Sequence, residues 1–481
     1  FTFFVFVIYA LIASLVSLYR YWQYEAFYYD FGIYDQAIWQ ISRFQMPIID
    51  HLALGRIPIF ADHFIPSTFL LAPIYWITTR SEVLLIIQAL AVSTSGLVLY
   101  QIGKKLIKNR WLSFVIMVSY FLYIGLQNAI ITNFHPVTVA NLFIMLTFWA
   151  IVSKKVRLFW LFLLIMLGFK ESMFSVGIGI GIFLVLVKPV SNHQIPKINT
   201  NWKVIGFWTI LTSLSWGILV TRVIIPYFSK GIYLYAPIFP SETSQFFSRF
   251  IDQPEKIKTI WYSLRSFFFL PIFSPILWPL VIQDLFIRFI PLQTDGRWNL
   301  GMHYSASLSA ILAIASLWGM TTFKNTISKH KSLLKYLKNY KKYQKTVIFI
   351  IGFAIAFNSL FLHQFVLHGP LGLAYNKAFY QHSKSFEFLN DMVSKVPQNA
   401  SVMTQNHLAV RFTHQPLFLT DIEYEKYEPD FIVLDLRTDQ NPNNIFGHHG
   451  KNFSNFVQKL STDPRYTLIY NKNDQNIYKL K

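Results

Sequence analysis

The chain of 481 residues is 53% hydrophobic, 18% aromatic and only 14% charged, with a mean hydropathy of +0.38. A soluble domain carries about 25% charged residues, so this chain has too little polar surface to cover a soluble core. Its composition excludes a soluble enzyme and a disordered regulator. The absence of cysteine excludes a disulfide-stapled secreted module. Many long apolar runs indicate a polytopic α-helical membrane protein.

The net charge of +20 comes mostly from a few segments that border apolar runs. These segments are 104–110, 153–157, 188–203 and 323–345. Together they hold 18 Lys and Arg residues and no Asp or Glu. Such a bias marks cytoplasmic loops, so the charge indicates topology and attraction to membrane lipids. We expect no nucleic-acid partner.

Apolar runs of near-spanning length follow one another along residues 1–366. They occupy about 1–19, 65–78, 82–103, 111–127, 136–152, 157–169, 172–187, 204–225, 266–291, 304–322 and 346–366. With the basic segments in the cytoplasm, the runs predict about 9–12 transmembrane or re-entrant helices. They also predict a first external loop at 20–64 and a long external loop at 226–265. The run 266–291 must leave and return on one side, as a re-entrant hairpin or two short spans.

Residues 367–481 change in character and predict a small extracytoplasmic α/β domain. A helical period covers 376–396, and buried-type strands are predicted at 400–403 and 429–435. Further strands are predicted at 466–470 and 476–480. The fold class is therefore an all-α membrane domain followed by this unit.

The first external loop carries two acidic residues at the start of a helical pattern. Asp30 is either a helix N-cap or a functional carboxylate, and the second interpretation is favoured. Asp35 follows about one turn later, where a solvated side chain is a strong alternative. The same loop contains Asp62-His63 at a membrane entrance. This pair suits a metal or phosphate site, or a carboxylate that orients an imidazole, and a structural role is about equally plausible.

Other ionisable residues border later spans. His135 either faces an external pocket or only caps the helix that begins at Pro136, and the cap is slightly favoured. Lys170-Glu171 interrupts an uncharged stretch from Leu158 to Val187. A charge at membrane depth costs at least about 2.5–3.5 kcal/mol, so the pair is either an interfacial ion pair or a group that meets an anion or a metal. Arg297 and His303, with Tyr304 beside them, are candidate phosphate ligands.

The topology count places all of these residues on one face, although it was made from Lys and Arg in other segments. Carboxylates and cations gathered at a membrane surface suit transfer chemistry on a lipid phosphate. A carboxylate takes the acceptor proton, and cations or a metal offset charge on the leaving phosphate.

Five short motifs resemble, in order, the domain-of-unknown-function 2079 family of membrane proteins, which is similar to the GT-C glycosyltransferases. The motifs are Asp30…Tyr34-Asp35-Gln36-Ala37…Trp39, Asp62-His63-Phe64-x-Pro66, Phe134-His135-Pro136, Lys170-Glu171 and His303-Tyr304-Ser305. The resemblance implies a GT-C-like fold over about residues 20–435, with interfacial helices in the first loop. It also implies a polyprenyl-phosphate-sugar donor and a catalytic base shortly after the first span. By position this base is Asp30, with Asp35 next.

One departure concerns the cofactor. Where the family pattern has Asp before Phe-His-Pro, this chain has Asn133. If that acid is a metal ligand in the family, its role does not carry over. A divalent cation, Mg or Mn, therefore stays an open option, with Asp62 and His63 as the metal pair.

The leading hypothesis is an inverting glycosyltransferase of a prokaryotic plasma membrane that uses a lipid-linked sugar donor. Its acceptor, a glycan, a lipid or a protein, is left open. The alternative is a transporter or flippase of lipid-linked sugars, which predicts repeated halves and midplane charges that the sequence lacks. A scaffold that only displays the C-terminal domain leaves the clustered acids and bases unused.

Overall fold

The structure is a computed structural model that describes residues 1–187, 201–231, 233–293, 296–329, 340–420, 423–438, 440–446 and 450–481. Residues 188–200 and 330–339 of the predicted basic segments lie outside these ranges. Helices dominate the described chain, and a small sheet lies near the C-terminus. This arrangement confirms the predicted fold class.

The first half of the membrane domain is built from helices joined by short turns. They are α1 (Thr2–Trp22), α2 (Ile33–Ser42), α3 (Glu82–Leu106), α4 (Arg110–Leu122), α5 (Ile124–Ile131), α6 (Pro136–Val152), α7 (Val156–Leu167) and α8 (Met173–Leu186). Two 3₁₀ turns, Pro66–Leu70 and Ala72–Trp76, fill the predicted run 65–78. Only α3 is then left to cross in the stretch 65–103.

The second half contains both long spans and short helices. They are α9 (Trp202–Leu219), α10 (Ile225–Phe228), α11 (Thr243–Ser248), α12 (Pro254–Ser266), α13 (Trp278–Phe289), α14 (Ala306–Lys329) and α15 (Tyr340–Phe361). The predicted run 266–291 becomes two 3₁₀ turns, Leu270–Phe273 and Pro275–Leu277, followed by α13. Prolines at 271 and 275 lack the amide hydrogen that a continuous helix needs there.

Several of these helices meet the length and hydropathy of membrane spans. In the described ranges five helices do so singly, and the bent pair α4–α5 makes a sixth. Three shorter apolar helices, α6, α7 and α8, add to them. The resulting nine segments lie at the lower end of the predicted number.

Small residues let α8 and α9 pack closely. A side chain added at Gly181 would lie 2.8 Å from the carbonyl oxygen of Gly206 on the opposite helix. Close contact of two backbones is a common way for helices to associate in lipid. Lys170 and Glu171 lie in the turn directly before α8.

The C-terminal unit is a five-stranded mixed sheet with the order β4-β3-β5-β7-β6. Its strands are β3 (Val402–Thr404), β4 (Leu417–Leu419), β5 (Phe431–Asp435), β6 (Tyr466–Lys472) and β7 (Gln475–Leu480). The first three are parallel, and β7 runs antiparallel to β5 and β6. Its helices are α16 (Lys377–Lys384), α17 (Glu387–Ser394), α18 (Asn406–Ala409), α19 (Tyr424–Tyr427) and α20 (Gly450–Ser461).

Four predicted strands are found, but other details differ from the sequence prediction. The single helix predicted over 376–396 is two helices, because the chain turns at Ser385–Phe386. Strand β4 was not predicted, since three apolar residues are too short a pattern to identify.

The first loop also contains an unpredicted hairpin that attaches it to the C-terminal sheet. Strands β1 (Ile48–His51) and β2 (Gly55–Pro58) pair with each other. Arg56 Nη1 donates to the carbonyl of Leu417 at 2.8 Å, and the amide of Leu419 donates to Asp50 Oδ2 at 3.1 Å. The loop and the C-terminal unit therefore form one packed layer on one face of the membrane domain.

Candidate active site

A cavity of about 750 Å³ opens where this layer meets the helix bundle. Its walls come from segments that are far apart in sequence. They include the predicted residues Asp30, Asp62, His63, His135, Lys170, Glu171, Arg297, His303 and Tyr304.

Asp30 lies in a π-helical turn, Tyr28–Gly32, directly before α2. Asn133 Nδ2 donates a hydrogen bond of 3.3 Å to Asp30 Oδ2. Burial raises the pKa of Asp30, and neither the Asn133 hydrogen bond nor the charge of Lys170 offsets that effect. A raised pKa makes the carboxylate a stronger base.

His135 and His303 form a stacked imidazole pair. Their ring centroids are 3.5 Å apart, and both residues precede the first turn of a helix, α6 and α14 respectively. Burial and the charge of Lys170 lower the pKa of both rings, and their mutual repulsion adds to this for His303. We therefore treat both as neutral. Among the described residues, His135 Nε2 and His303 Nδ1 find no hydrogen-bond partner.

Acidic side chains and imidazoles also alternate in a second group, of which Asp62, His63 and Glu171 line the cavity. His63 Nδ1 lies 3.0 Å from Glu171 Oε1, and His51 Nε2 lies 3.4 Å from Asp62 Oδ1. Burial opposes ionisation of Glu171, but the charges of His63 and Lys170 outweigh it and hold its pKa below the usual range. The second oxygen of Glu171 is buried, with no hydrogen-bond partner in the described part of the chain.

An aromatic side chain of the long loop packs against this group. The ring of Tyr235 stacks on His63 with centroids 4.7 Å apart. The Arg297 guanidinium lies 5.8 Å from the Tyr235 centroid and 6.0 Å from that of Tyr304. The site therefore combines a cation, aromatic faces and anionic groups within one enclosure.

Asp284 and Arg288 also line the cavity, and sequence reasoning missed them. They form a buried ion pair of 3.2 Å on α13. Arg288 also donates to the carbonyls of Arg297 and Asn299 at 2.9 and 3.0 Å. The pair thus holds the segment that carries Arg297 and His303. Two opposite charges at i and i+4 within an apolar run were the available signal.

Asp35 is the predicted site residue that does not line this cavity. Its oxygens accept hydrogen bonds from Tyr75 and Thr413 and face His414 Nε2 at 3.2 Å. The helix start turns Asp35 away from Asp30, toward the C-terminal unit. The structure thus gives Asp35 partners of its own outside the cavity, and its role as the second catalytic candidate stays a prediction.

The comparison with family models decides the classification. The model of the predicted membrane proteins named DUF2079 matches residues 20–476. The chain belongs to this family. Membership confirms the resemblance that the five motifs carried, and the matched range of the DUF2079 protein includes every cavity residue named above. Comparison with curated proteins finds no match.

Solved structures similar to this DUF2079 protein include ArnT from Cupriavidus metallidurans bound to undecaprenyl phosphate. The identity is 11%, the match covers 98% of this chain and 97% of that chain, and the TM-score is 0.52. The apo state of the same ArnT gives 12% identity over the same shares, with a TM-score of 0.48. The first likeness shows the fold, which is the predicted GT-C-like architecture.

The sequence left open a divalent cation bound by Asp62 and His63, which requires further ligands close to this pair. Within the described ranges no three or more His, Asp or Glu side chains are grouped to hold a metal ion. Asp62 and His63 instead contact His51 and Glu171. The residues as placed do not form a ligand set, and we derive no chemical step through a metal.

Proposed function

We propose that the protein is a membrane glycosyltransferase that transfers a sugar from a polyprenyl-phosphate donor to an acceptor hydroxyl with inversion. The observation that carries the proposal is the single cavity that joins a buried carboxylate of raised pKa to a set of cationic and imidazole groups. The similarity to ArnT supports the choice of donor, since that protein is bound to undecaprenyl phosphate.

The donor phosphate would be held on one side of the cavity. Lys170 and Arg297 supply positive charge, and His135 and His303 offer imidazole nitrogens that have no partner among the described residues. Hydrogen bonds to charged groups contribute about 1.5–3 kcal/mol each. Tyr304 lies beside Arg297 and would bound the same subsite. Glu171 would orient His63, whose Nδ1 lies 3.0 Å from its Oε1, rather than touch the anion itself.

Asp30 would act as the general base. The acceptor oxygen attacks the anomeric carbon from the face opposite the phosphate, while its proton passes to the Asp30 carboxylate. The bond between the anomeric carbon and the phosphate oxygen breaks, and polyprenyl phosphate leaves with that electron pair. Lys170 and Arg297 offset the charge that develops on the leaving oxygen.

The location follows from the basic segments. We propose that the cavity and the C-terminal unit lie on the extracytoplasmic face of a prokaryotic plasma membrane, because the Lys- and Arg-rich segments border the opposite helix ends. A glycan, a lipid or a protein remains the acceptor class. A cysteine introduced at exposed Phe446 should react with a membrane-impermeant maleimide in intact cells.

The deciding experiment supplies radiolabelled polyprenyl-phosphate sugars to the purified protein. We expect release of polyprenyl phosphate by the wild type and its loss in Asp30→Asn. Release that is unchanged in Asp30→Asn would remove Asp30 as the base. Addition of EDTA in the same assay tests the divalent cation that the sequence left open: unchanged turnover would remove Mg and Mn from consideration.

The second candidate function is transport of lipid-linked sugars. The cavity faces a membrane domain, which a flippase would also require. The candidate base Asp30 and the imidazole of His135, however, lie in a turn and at a helix start rather than in the middle of a span. Movement of an intact donor across proteoliposomes without cleavage would favour transport over transfer.

A further inference from the structure

Gln88 lies on α3, in the first third of a membrane span, and its side chain is fully buried. It does not line the cavity. A primary amide in an apolar helix carries a desolvation cost unless its donors and acceptor are paired. All of its hydrogen bonds go to one short segment of backbone.

This segment is the turn between α5 and α6. Gln88 Nε2 donates to the carbonyl of Ile130 at 2.9 Å and to that of Asn133 at 2.8 Å. Gln88 Oε1 accepts from the amide of His135 at 2.8 Å. One side chain thus supplies partners to both the end of α5 and the beginning of α6. The Ile130 carbonyl also accepts from the Ser17 hydroxyl at 3.3 Å, whereas Gln88 joins the two helix ends.

The turn that Gln88 holds has an unusual backbone. Asn133 has a φ of +67°, in the left-handed region. Asn tolerates this conformation better than most residues, but it persists only where the surroundings enforce it. The conformation directs Asn133 Nδ2 to Asp30 Oδ2, and two residues later the His135 ring stacks on His303.

We propose that Gln88 is a positioning residue for the active site: it fixes the 130–135 turn so that Asn133 orients Asp30 and His135 stays against His303. The inference rests on the proposed function. Gln88 does not line the cavity, so it would not touch a substrate bound there. The same amide also stabilises two helix ends, so the test must separate positioning from stability.

The matched control is Gln127, a second buried glutamine. Its Nε2 donates to the carbonyl of Phe121 at 2.9 Å, and its Oε1 faces His363 Nε2 at 3.0 Å. It does not line the cavity. Replacement by Met keeps the side-chain length and removes the amide in both cases. Gln88→Met and Gln127→Met should therefore lower thermal stability alike.

Activity should separate the two variants. With labelled polyprenyl-phosphate sugar we expect Gln88→Met to reduce kcat by about tenfold to a hundredfold, the range for a slight misplacement of reacting groups. Gln127→Met should stay within about twofold of the wild type. Equal losses in the two variants would overturn the proposal.

A double-mutant cycle tests the route through Asn133. If Gln88 acts by holding Asn133, the loss caused by Gln88→Met should be smaller in an Asn133→Ala background than in the wild type. The acid limb of kcat/KM should also move to higher pH in Gln88→Met, because Asp30 loses a hydrogen bond that lowers its pKa. Full additivity and an unmoved limb would contradict the proposed route.

A structural readout keeps this inference distinct from the proposed reaction. A cryo-EM structure of Gln88→Met should show Asn133 out of the left-handed region and separated from Asp30. If the wild type turns over no donor, the proposed function fails. The cryo-EM structure of Gln88→Met still tests whether Gln88 holds the 130–135 turn. An unchanged 130–135 turn would overturn that role.

Discussion

The imidazole of His414 lies 3.2 Å, measured from Nε2, from Oδ2 of Asp35. His414 belongs to the C-terminal unit and Asp35 to α2. This helix begins at Ile33, three residues after Asp30 and directly after the π-helical turn that contains Asp30. The His414 ring also stacks on Trp39, with centroids 4.0 Å apart. The C-terminal unit therefore packs against α2, the helix that follows the candidate base Asp30.

A second contact lies on the other side of Asp30. Arg411 Nη2 donates to the carbonyl of Tyr21 at 2.8 Å, and its guanidinium lies 3.8 Å from the Tyr21 ring centroid. Asn406 Oδ1 accepts from the amide of Tyr29 at 3.2 Å. The C-terminal unit thus contacts the chain at Tyr21 and Tyr29, which precede Asp30, and at Asp35, which follows it.

Substitution of the candidate base gives the first prediction. Asp30→Asn should lower kcat by about 10²- to 10⁴-fold, the usual contribution of a general base, with little change in the midpoint of thermal unfolding. Release of labelled polyprenyl phosphate measures the effect. Asp391→Asn, an exposed carboxylate in the C-terminal unit, serves as the control. A comparable loss in the control would mean that the assay reports damage rather than catalysis.

The second prediction concerns the pH dependence of the same reaction. Asp30 must be ionised to accept a proton, so kcat/KM should fall as the pH drops through its pKa. Because burial raises the pKa of Asp30 above the ordinary value of an aspartate, the fall should begin at a higher pH than for an exposed aspartate. A pH profile of the wild type and of Asp30→Asn checks this. A profile whose acid limb persists in the variant would assign the limb to another group.

The third prediction concerns Asp35 and stability. Burial alone would raise the pKa of Asp35, but His414 and the hydrogen bonds of Thr413 and Tyr75 outweigh it and lower the pKa below 3.8. A carboxylate with a depressed folded pKa contributes stability above its unfolded value, and this is lost as the pH falls through the folded pKa. Asp35→Asn should cost about 1–3 kcal/mol at pH 7, and the difference from wild type should vanish in acid.

Thermal unfolding of both proteins between pH 7 and pH 3 measures this difference. Thr413→Val is the companion variant, since it removes one of the hydrogen bonds to Asp35. A large loss of kcat in Asp35→Asn with unchanged stability would return Asp35 to the catalytic role that the sequence predicted.

The fourth prediction tests the phosphate subsite without turnover. Lys170→Met should weaken binding of undecaprenyl phosphate by about tenfold to a hundredfold, as expected for loss of one charged contact. Lys258→Met is the matched control, because Lys258 is exposed and pairs only loosely with Glu255 at 3.8 Å. Fluorescence-detected thermal shift in detergent provides the measurement. Equal affinities for both variants and the wild type would remove Lys170 from the subsite.

The fifth prediction concerns the buried ion pair of α13. Arg288→Met leaves Asp284 as an unpaired buried charge, which costs about 3–5 kcal/mol. The double variant Arg288→Met with Asp284→Leu should regain much of that stability. It should not regain donor binding, since the carbonyls of Arg297 and Asn299 lose their shared partner. Recovery of both properties would show that the pair only stabilises the fold.

Local patterns in the sequence were sufficient to identify the apolar helices and most of the Asp, Glu, His, Lys and Arg residues that line the cavity. Hydropathy depends on composition within a short window, so it identifies spans such as α1 and α3 without knowledge of their neighbours. The excess of Lys and Arg between spans then assigns loops to a face. Together these two patterns place Asp30, Lys170 and His303 on one side of the membrane.

Tertiary structure alone decided which of these polar groups pair with one another. The partners of Asp35 come from the other end of the chain, and Gln88 meets the 130–135 turn across a helix interface. The short strands β1, β2 and β4 contact one another although they come from opposite ends of the chain. Such pairings depend on how distant segments pack, and no pattern within a window of a few residues records that packing.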